Sequence, residues 1–85
     1  MKIKVLYFAR LREQFGISAE TVELPEGAVM TAMLLDVLRA RGGIWAELLA
    51  PGQAFRIAVN QELVDLAAPI AAGDEVAIFP PVTGG

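Results

Sequence analysis

One amphipathic helical segment, set among short strand-like segments, is the feature that most limits the fold of this chain. Apolar side chains recur at three- and four-residue spacing between residues 30 and 41, which predicts the main helix. The predicted apolar stripe consists of Met30, Met33, Leu34, Val37 and Leu38. Leu35 lies off this stripe and is expected to be partly exposed. Thr31 is expected to cap the helix start, and Gly42-Gly43 to end it.

Short segments rich in β-branched and aromatic residues predict the strands, at residues 2–8, 21–24, 55–59, 63–64 and 75–79. A short helix is predicted over 9–14 and a further helical turn over 45–49. Asn60-Gln61 predicts a hairpin, because asparagine tolerates a positive φ. This order favours an α+β, ubiquitin-like β-grasp fold, a single domain over 1–85 with a mixed sheet around one main helix. The first and last strands are expected to be parallel neighbours at its centre.

Two absent residue types restrict the chemistry of the chain. It contains no cysteine and no histidine. Disulfides, Cys/His zinc sites, thiol nucleophiles and Ser-His-Asp triads are therefore excluded, and no metal site is expected. Reactivity must come from carboxylates, basic groups, hydroxyls or the chain ends. The formal net charge of −3 argues against nucleic acid as a partner.

Charge distribution also bears on location and partners. The longest uncharged stretch, residues 76–85, is half of the roughly 20 residues that a membrane span requires. The first residues lack the apolar core of a signal peptide. A cytoplasmic protein without a membrane partner is expected. Lys2, Lys4, Arg10 and Arg12 cluster at the start, either as a solvated edge or as a partner-facing patch.

The two faces of the predicted sheet differ in what they offer. The helix is expected to cover the face that holds Ile3, Val5, Tyr7, Val22, Ile57, Val76 and Ile78. The opposite face then exposes Leu6, Phe8, Ala77 and Phe79, with Leu63 beside them. Exposed apolar residues grouped in this way favour a protein-docking patch, unless a loop folds over them.

The last residues, Phe79-Pro80-Pro81-Val82-Thr83-Gly84-Gly85, form the most specific motif. Residues 80–85 are expected to be a flexible tail that the two prolines project from the sheet. Glycine has no side chain, so the terminal carboxylate could enter a narrow tunnel in another protein. An ordinary solvent-exposed terminus is the alternative.

Four segments together resemble the small, sulfur-carrier subunits of molybdopterin synthases. They are residues 4–9 followed by Arg12-Glu13, Ala58-Val59-Asn60-Gln61, Gly73-Asp74-Glu75-Val76-Ala77, and the terminal motif from Phe79 to Gly85. The resemblance covers nearly the whole chain. Asn60-Gln61 stands where the family more often has Asn-Gly.

The resemblance implies that the reacting group is the carboxylate of Gly85. A ubiquitin-activating-like adenylyltransferase would use ATP to adenylate it, and sulfur delivery would convert it to a thiocarboxylate. The tail residues Pro81, Val82, Thr83 and Gly84 would enter the large subunit of the synthase. There the terminal sulfur would attack cyclic pyranopterin monophosphate, and two transfers would build the dithiolene of molybdopterin.

The resemblance also implies a division of labour between subunits. Catalytic side chains would belong to the large subunit, and two small and two large subunits would form a heterotetramer. Phe8, Leu63 and Phe79 match the docking surface of the family, and Arg12 is a further candidate for a partner contact. No cofactor would be bound by this chain, and ATP would be used by the activating partner.

Other functions remain open from the sequence alone. Related carriers with Gly-Gly tails supply sulfur for thiamine synthesis or tRNA thiolation. A ubiquitin-like modifier joined to lysines of target proteins belongs to a different class. A binding domain with an inert tail is the third alternative.

Overall fold

The computed structural model describes residues 1–27 and 30–81 of the 85-residue chain. Within these ranges the elements are β1 (Lys2–Tyr7), α1 (Ala9–Phe15), β2 (Ala19–Glu23), α2 (Thr31–Arg39), α3 (Gly43–Leu48), β3 (Arg56–Val59), β4 (Glu62–Val64) and β5 (Glu75–Phe79). Each strand agrees with its predicted range to within two residues. None of the helices in this part of the chain is long and apolar enough to cross a membrane.

The strands form one mixed sheet in the order β2-β1-β5-β3-β4. The central pair, β1 and β5, is parallel, with Val5 opposite Val76, and the other pairs are antiparallel. The predicted β-grasp arrangement is confirmed. Asn60 and Gln61 join β3 to β4 with φ values of 50° and 71°, so the predicted hairpin has two left-handed residues, as in a type I′ turn.

The core lies between the helices and one face of the sheet. The seven strand residues predicted to face the helix are all buried, and they share one cluster with Leu34, Leu38 and Leu49. Tyr7, the bulkiest fully buried side chain, is 1% exposed. The alternation of apolar residues along the strands identifies this face, because successive side chains of a strand point to opposite faces of the sheet.

The predicted buried face of the main helix is wrong along one of its two edges. Leu35 is completely buried, whereas Met33 and Val37 are half-buried and Met30 is 38% exposed. Leu35 and the Met33–Val37 pair flank the Leu34–Leu38 row on opposite sides of α2. The spacing of apolar residues identifies the middle of the buried stripe. It does not show which of the two neighbouring sides of the helix is buried more deeply.

Both predicted helix ends also need correction. Thr31 does not cap α2, because it is the first helical residue and its buried hydroxyl donates to the carbonyl oxygen of Ala68 at 3.0 Å. The helix ends at Arg39, with Ala40 following in a right-handed conformation. Gly42, at φ 75°, instead precedes α3, which begins two residues earlier than the predicted helical turn.

Candidate docking surface and tail

An apolar row crosses the sheet face opposite the helices. Strand register aligns Leu6 with Ala77, Ala77 with Ala58, and Ala58 with Leu63. Leu63 is 67% exposed, and Leu6 and Ala77 are half-buried. Two alanines between two leucines leave a shallow apolar floor on this face. Ala58, which the sequence-based patch omits, belongs to this floor.

The two aromatic residues predicted to be neighbours lie one step further along the same face. Tyr7 pairs with Ile78 and both are buried, so Phe8 and Phe79 follow on the opposite face at the end of the central strands. Phe8 is 43% exposed, and Phe79 is half-buried rather than open. We define the outer-face patch by its members, Leu6, Phe8, Ala58, Leu63, Ala77 and Phe79.

Backbone hydrogen bonds on both sides fix the position of Phe8. Its N–H donates to the carbonyl oxygen of Ile78 at 3.3 Å, which extends the pairing of β1 with β5. Its own carbonyl accepts from the N–H groups of Leu11 and Arg12, at 3.2 and 3.4 Å, at the start of α1. The chain turns from strand to helix at Ala9, which has a φ of 51°. Phe8 therefore occupies a defined place beside the end of β5.

A cluster on the other face of β1 holds the same strand end. The ring of Tyr7 makes edge contacts with Phe15 and Trp45, which stack on each other with centroids 3.8 Å apart. The hydroxyl of Tyr7 donates to Glu20 at 2.6 Å. Arg41 donates two bonds of 2.8 Å to the same carboxylate and lies over the Trp45 ring. Two strands, two helices and the α2–α3 connection thus meet around the residue that precedes Phe8.

The cluster shifts the ionisation of its members. Hydrogen bonding from Arg41 is the largest effect holding the pKa of Glu20 below its ordinary value, and burial opposes it. Burial, followed by the bond to Glu20, raises the pKa of Tyr7 well above its ordinary value. The hydrogen bond with Glu20 is the main reason that the pKa of Arg41 is raised. The cluster therefore stays as an ion pair with a neutral tyrosine at neutral pH.

A second polar group fixes the beginning of β5. The Asn60 side chain donates to Asp74 at 3.1 Å and accepts from the N–H of Glu75 at 3.0 Å. Asp74 also accepts from the N–H of Ala71 at 2.8 Å. These bonds explain the Asn60 and Gly73-Asp74-Glu75 motifs as structural, because they attach the β3–β4 hairpin to the central strand.

Arg56 lies beside the start of the tail, and the site predicted from the sequence does not include it. It is exposed and pairs with Phe79, the last residue of β5. Its alternation with the inward residues of β3 is the signal that places it on the outer face. Arg12 is also exposed, but it belongs to α1, one turn beyond Phe8, and the structure does not place it in the outer-face patch.

The central strand leads directly into the terminal motif. β5 ends at Phe79, and Pro80 and Pro81 follow, both half-buried. The residues predicted to insert and react, Val82, Thr83, Gly84 and Gly85, lie outside the described residues. The surface at this end of the sheet thus combines apolar contacts with guanidinium charge, which suits it to binding another protein.

Comparison with known proteins identifies the family to which this chain belongs. Residues 5–85 match the ThiS family. The chain belongs to the ThiS family. This ThiS-family chain is 45% identical over 83 residues to the molybdopterin synthase sulfur carrier subunit of Escherichia coli K12, covering 98% of this chain and 99% of the relative. The resemblance inferred from the sequence motifs is confirmed.

Two solved structures share the fold over the full length of both chains. Small archaeal modifier protein 1 from Haloferax volcanii has a TM-score of 0.80 and 30% identity. Subunit 1 in the complex of subunits 1 and 2 of the molybdopterin-converting factor from Helicobacter pylori has a TM-score of 0.68 and 27% identity. The fold therefore occurs both in a protein named as a modifier and in a subunit bound to a second protein.

Proposed function

We propose that this chain is the sulfur carrier subunit of a molybdopterin synthase. The observation that carries the proposal is the place of residues 79–81, the described part of the terminal motif. They continue from the central strand β5 and leave the sheet between Phe8 and Arg56, beside the outer-face patch. A partner that binds the patch thereby receives the tail. The similarity to the carrier subunit of Escherichia coli supports the same function.

The reacting group in this proposal is the main-chain carboxylate of Gly85. A free carboxylate is a poor electrophile, so an adenylyltransferase activates it with ATP, releasing pyrophosphate. Sulfur replaces AMP on the acyl carbon and gives the thiocarboxylate. The terminal sulfur then attacks cyclic pyranopterin monophosphate, and two carriers supply the two sulfurs of the dithiolene. This chain binds no nucleotide itself, because ATP occupies the activating partner.

The large subunit of the synthase is the proposed recipient of the tail. The complex of subunits 1 and 2 from Helicobacter pylori supports a partner of this kind. The outer-face patch docks it, Pro81, Val82, Thr83 and Gly84 line the inserted tail, and Arg12 contributes a peripheral contact. The large subunit supplies the catalytic side chains, in a heterotetramer of two small and two large chains.

A cleavable extension after Gly85 tests the proposed reacting group. Protein with the extension intact is expected to gain no sulfur when incubated with activating enzyme, ATP and sulfur donor. The same protein cut after Gly85 is expected to show one oxygen replaced by sulfur in its intact mass. The cut sample controls for folding, since both share every other residue. Equal sulfur gain in the uncut sample would contradict the assignment of Gly85.

A second assay separates this function from other sulfur pathways. Thiocarboxylated protein mixed with the large subunit and cyclic pyranopterin monophosphate is expected to yield dithiolene product. A carrier for thiamine or tRNA thiolation would gain sulfur in the first assay but give no product in the second.

Protein modification is a second candidate function, favoured by the similarity to small archaeal modifier protein 1. In that case the activated Gly85 carboxylate would form an isopeptide bond with a lysine of a target protein. Mass spectrometry of cell extracts distinguishes the two functions. Lysine-containing peptides with a branched Gly-Gly remnant would support modification, whereas thiocarboxylate on the free chain supports sulfur transfer.

A further inference from the structure

A cleft of about 210 Å³ lies at the edge of the sheet where β4 ends. It is lined by the chain after α3, residues 50–53, by residues 64–66, and by Arg39, Phe55, Arg56 and Ile57. These residues come from four separate parts of the chain, so the cleft exists only in the folded protein. The proposed steps at the tail do not use it.

Three charged side chains line this cleft. They are Arg39, Arg56 and Asp65. The guanidinium of Arg56 is exposed and makes no hydrogen bond or ion pair with any residue that the structure describes. Asp65 accepts from the N–H of Ala67 at 2.9 Å and forms no ion pair within the same ranges. Arg56 is therefore available to pair with a carboxylate from outside the chain.

The other guanidinium, that of Arg39, is held in place. Its Nε donates to the carbonyl oxygen of Leu49, and its Nη1 lies 3.4 Å from the carboxylate of Asp36. The Arg39 side chain is 22% exposed. No residue in the described part of the chain accepts from its Nη2, so a positioned donor remains. A donor that is already fixed loses little conformational freedom when it binds a ligand.

The rest of the lining limits what can bind. Phe55 and Val64 are half-buried and Leu66 is 40% exposed, so apolar side chains share the cleft with the two guanidinium groups. Pockets for cofactors and other small molecules usually have volumes of about 300–1,000 Å³, which is more than this cleft offers. A carboxylate on a short apolar arm, as in a glutamate or aspartate side chain, suits both its size and its charge.

The cleft is continuous with the outer-face patch. Arg56 pairs with Phe79 of the patch, and Leu63 of the patch directly precedes Val64 of the cleft. Because successive residues of a strand point to opposite faces, patch and cleft lie on the two sides of β4. β4 is the last strand of the sheet. A protein that covers the patch can therefore reach the cleft around this edge.

We propose that the cleft binds an acidic side chain of the protein that docks on the outer-face patch. The carboxylate accepts hydrogen bonds from Arg56 and Arg39, which are charge-assisted and therefore stronger than neutral ones. The inference rests on the proposed function for the identity of that protein, the large subunit. It makes the choice of partner depend on charge as well as on apolar contact.

Two substitutions with opposite expected effects test the proposal. Arg56→Gln removes the unpaired guanidinium and is expected to weaken binding of the large subunit about tenfold. Asp65→Asn removes the carboxylate of the cleft itself and keeps an oxygen for the N–H of Ala67, so binding should strengthen about threefold. Isothermal titration calorimetry at two salt concentrations gives the Kd, and Arg56→Gln should reduce its salt dependence. Poor folding of a variant cannot raise its affinity.

Lys2→Gln and Glu47→Gln are the matched controls, because they remove the same charges from exposed positions elsewhere. Lys2 begins β1 at the other end of the sheet, and Glu47 belongs to α3. Both are expected to leave the Kd within about twofold of wild type, since solvent screens distant charges. Inorganic phosphate, titrated into the chain alone and followed by nuclear magnetic resonance, is expected to cause no saturable shift at the cleft.

Two results would overturn the proposal while leaving the proposed function intact. One is a Kd for Arg56→Gln and Asp65→Asn no different from that of the controls, with Leu63→Ala still weakening binding. The other is saturable phosphate binding that Arg56→Gln abolishes, which would assign the cleft to a free anion. A large subunit that does not bind the wild-type chain at all would instead contradict the proposed function, and the inference with it.

Discussion

At the scale of single residues, Glu20 connects parts of the chain that are distant in sequence. Its carboxylate accepts from Tyr7 on β1 and from Arg41 beyond α2. The Glu20 side chain is 20% exposed, so solvent screens these bonds less than those of a surface ion pair. The cluster fixes Tyr7 from the core side, directly before the exposed Phe8.

Glu20→Gln is expected to lower the free energy of unfolding by about 1–2 kcal/mol at pH 7, because charged hydrogen bonds are replaced by weaker ones. The folded pKa of Glu20 lies below its ordinary value of 4.5. Its ionised form therefore stabilises the fold above pH 4.5, and this contribution is lost as pH falls through the lowered pKa. The difference between wild type and variant should shrink at pH 3. Urea unfolding followed by the fluorescence of Trp45 measures it.

Two further variants control for this result. Glu13→Gln removes an exposed carboxylate on α1 and should change stability little at either pH. Adding Tyr7→Phe to Glu20→Gln should cost less than Tyr7→Phe in wild type, since the hydroxyl has then lost its charged acceptor. A Glu20→Gln effect of equal size at both pH values would contradict the role of the ionised carboxylate.

Sequence patterns predict well which strand residues are buried, because a strand side chain can point to only one of two faces. The alternation of Ile3, Val5 and Tyr7 identifies the buried face of β1 correctly. The parallel pairing of the end strands also places Phe8 next to Phe79. The Glu20–Arg41 pair is different, because its partners are 21 residues apart and depend on where α2 ends. No local pattern contains that information.

At the scale of elements, the two central residues of the turn between β3 and β4 differ in how well they tolerate its backbone conformation. Both central residues have positive φ, and Asn60 is a residue that tolerates this conformation. Gln61, at φ 71°, has a side chain that disfavours it by about 1 kcal/mol. The side-chain bonds of Asn60 to Asp74 and Glu75 compensate by attaching the hairpin to β5.

Gln61→Gly is expected to raise the free energy of unfolding by up to about 1 kcal/mol. Glycine adopts positive φ without a steric penalty, although its greater freedom in the unfolded chain offsets part of the gain. Urea unfolding at pH 7 measures the change. Glu62→Gly, one residue later in β4, is the matched control and should destabilise the fold, because it lies in a strand. Destabilisation by Gln61→Gly would show that the glutamine side chain has a role of its own.

The orientation and the start of the main helix could not be predicted from the sequence alone. Five strands and a short helix were predictable from alternation and turn residues. The orientation of α2 was not, since Leu35 and the Met33–Val37 pair are equally apolar flanks of one stripe. Local sequence predicts Thr31 as a helix cap, because it does not reveal the carbonyl of Ala68, the tertiary partner to which the Thr31 hydroxyl donates.

At the scale of the whole molecule, the two faces of the sheet differ in what covers them. Helices cover one face, and the other carries the outer-face patch, with the tail leaving at its edge. Phe79 is half-buried and pairs with Arg56, so Phe79→Ala would combine a docking loss, of about 2 kcal/mol if it is a hot spot, with a loss of sheet stability. Leu63, which is 67% exposed on the short edge strand β4, separates the two effects.

Leu63→Ala is expected to weaken binding of the large subunit by about 1–2 kcal/mol, because the side chain loses apolar area that the partner would cover. Its effect on the free energy of unfolding should stay within about 0.5 kcal/mol, as for other exposed positions. Isothermal titration calorimetry with purified large subunit gives the Kd. Ile44→Ala is the matched control, since Ile44 is 38% exposed on α3, which packs on the helical side of the sheet. If Ile44→Ala weakened binding and Leu63→Ala did not, the large subunit would dock on the helices, and the tail would have to reach it around the sheet edge.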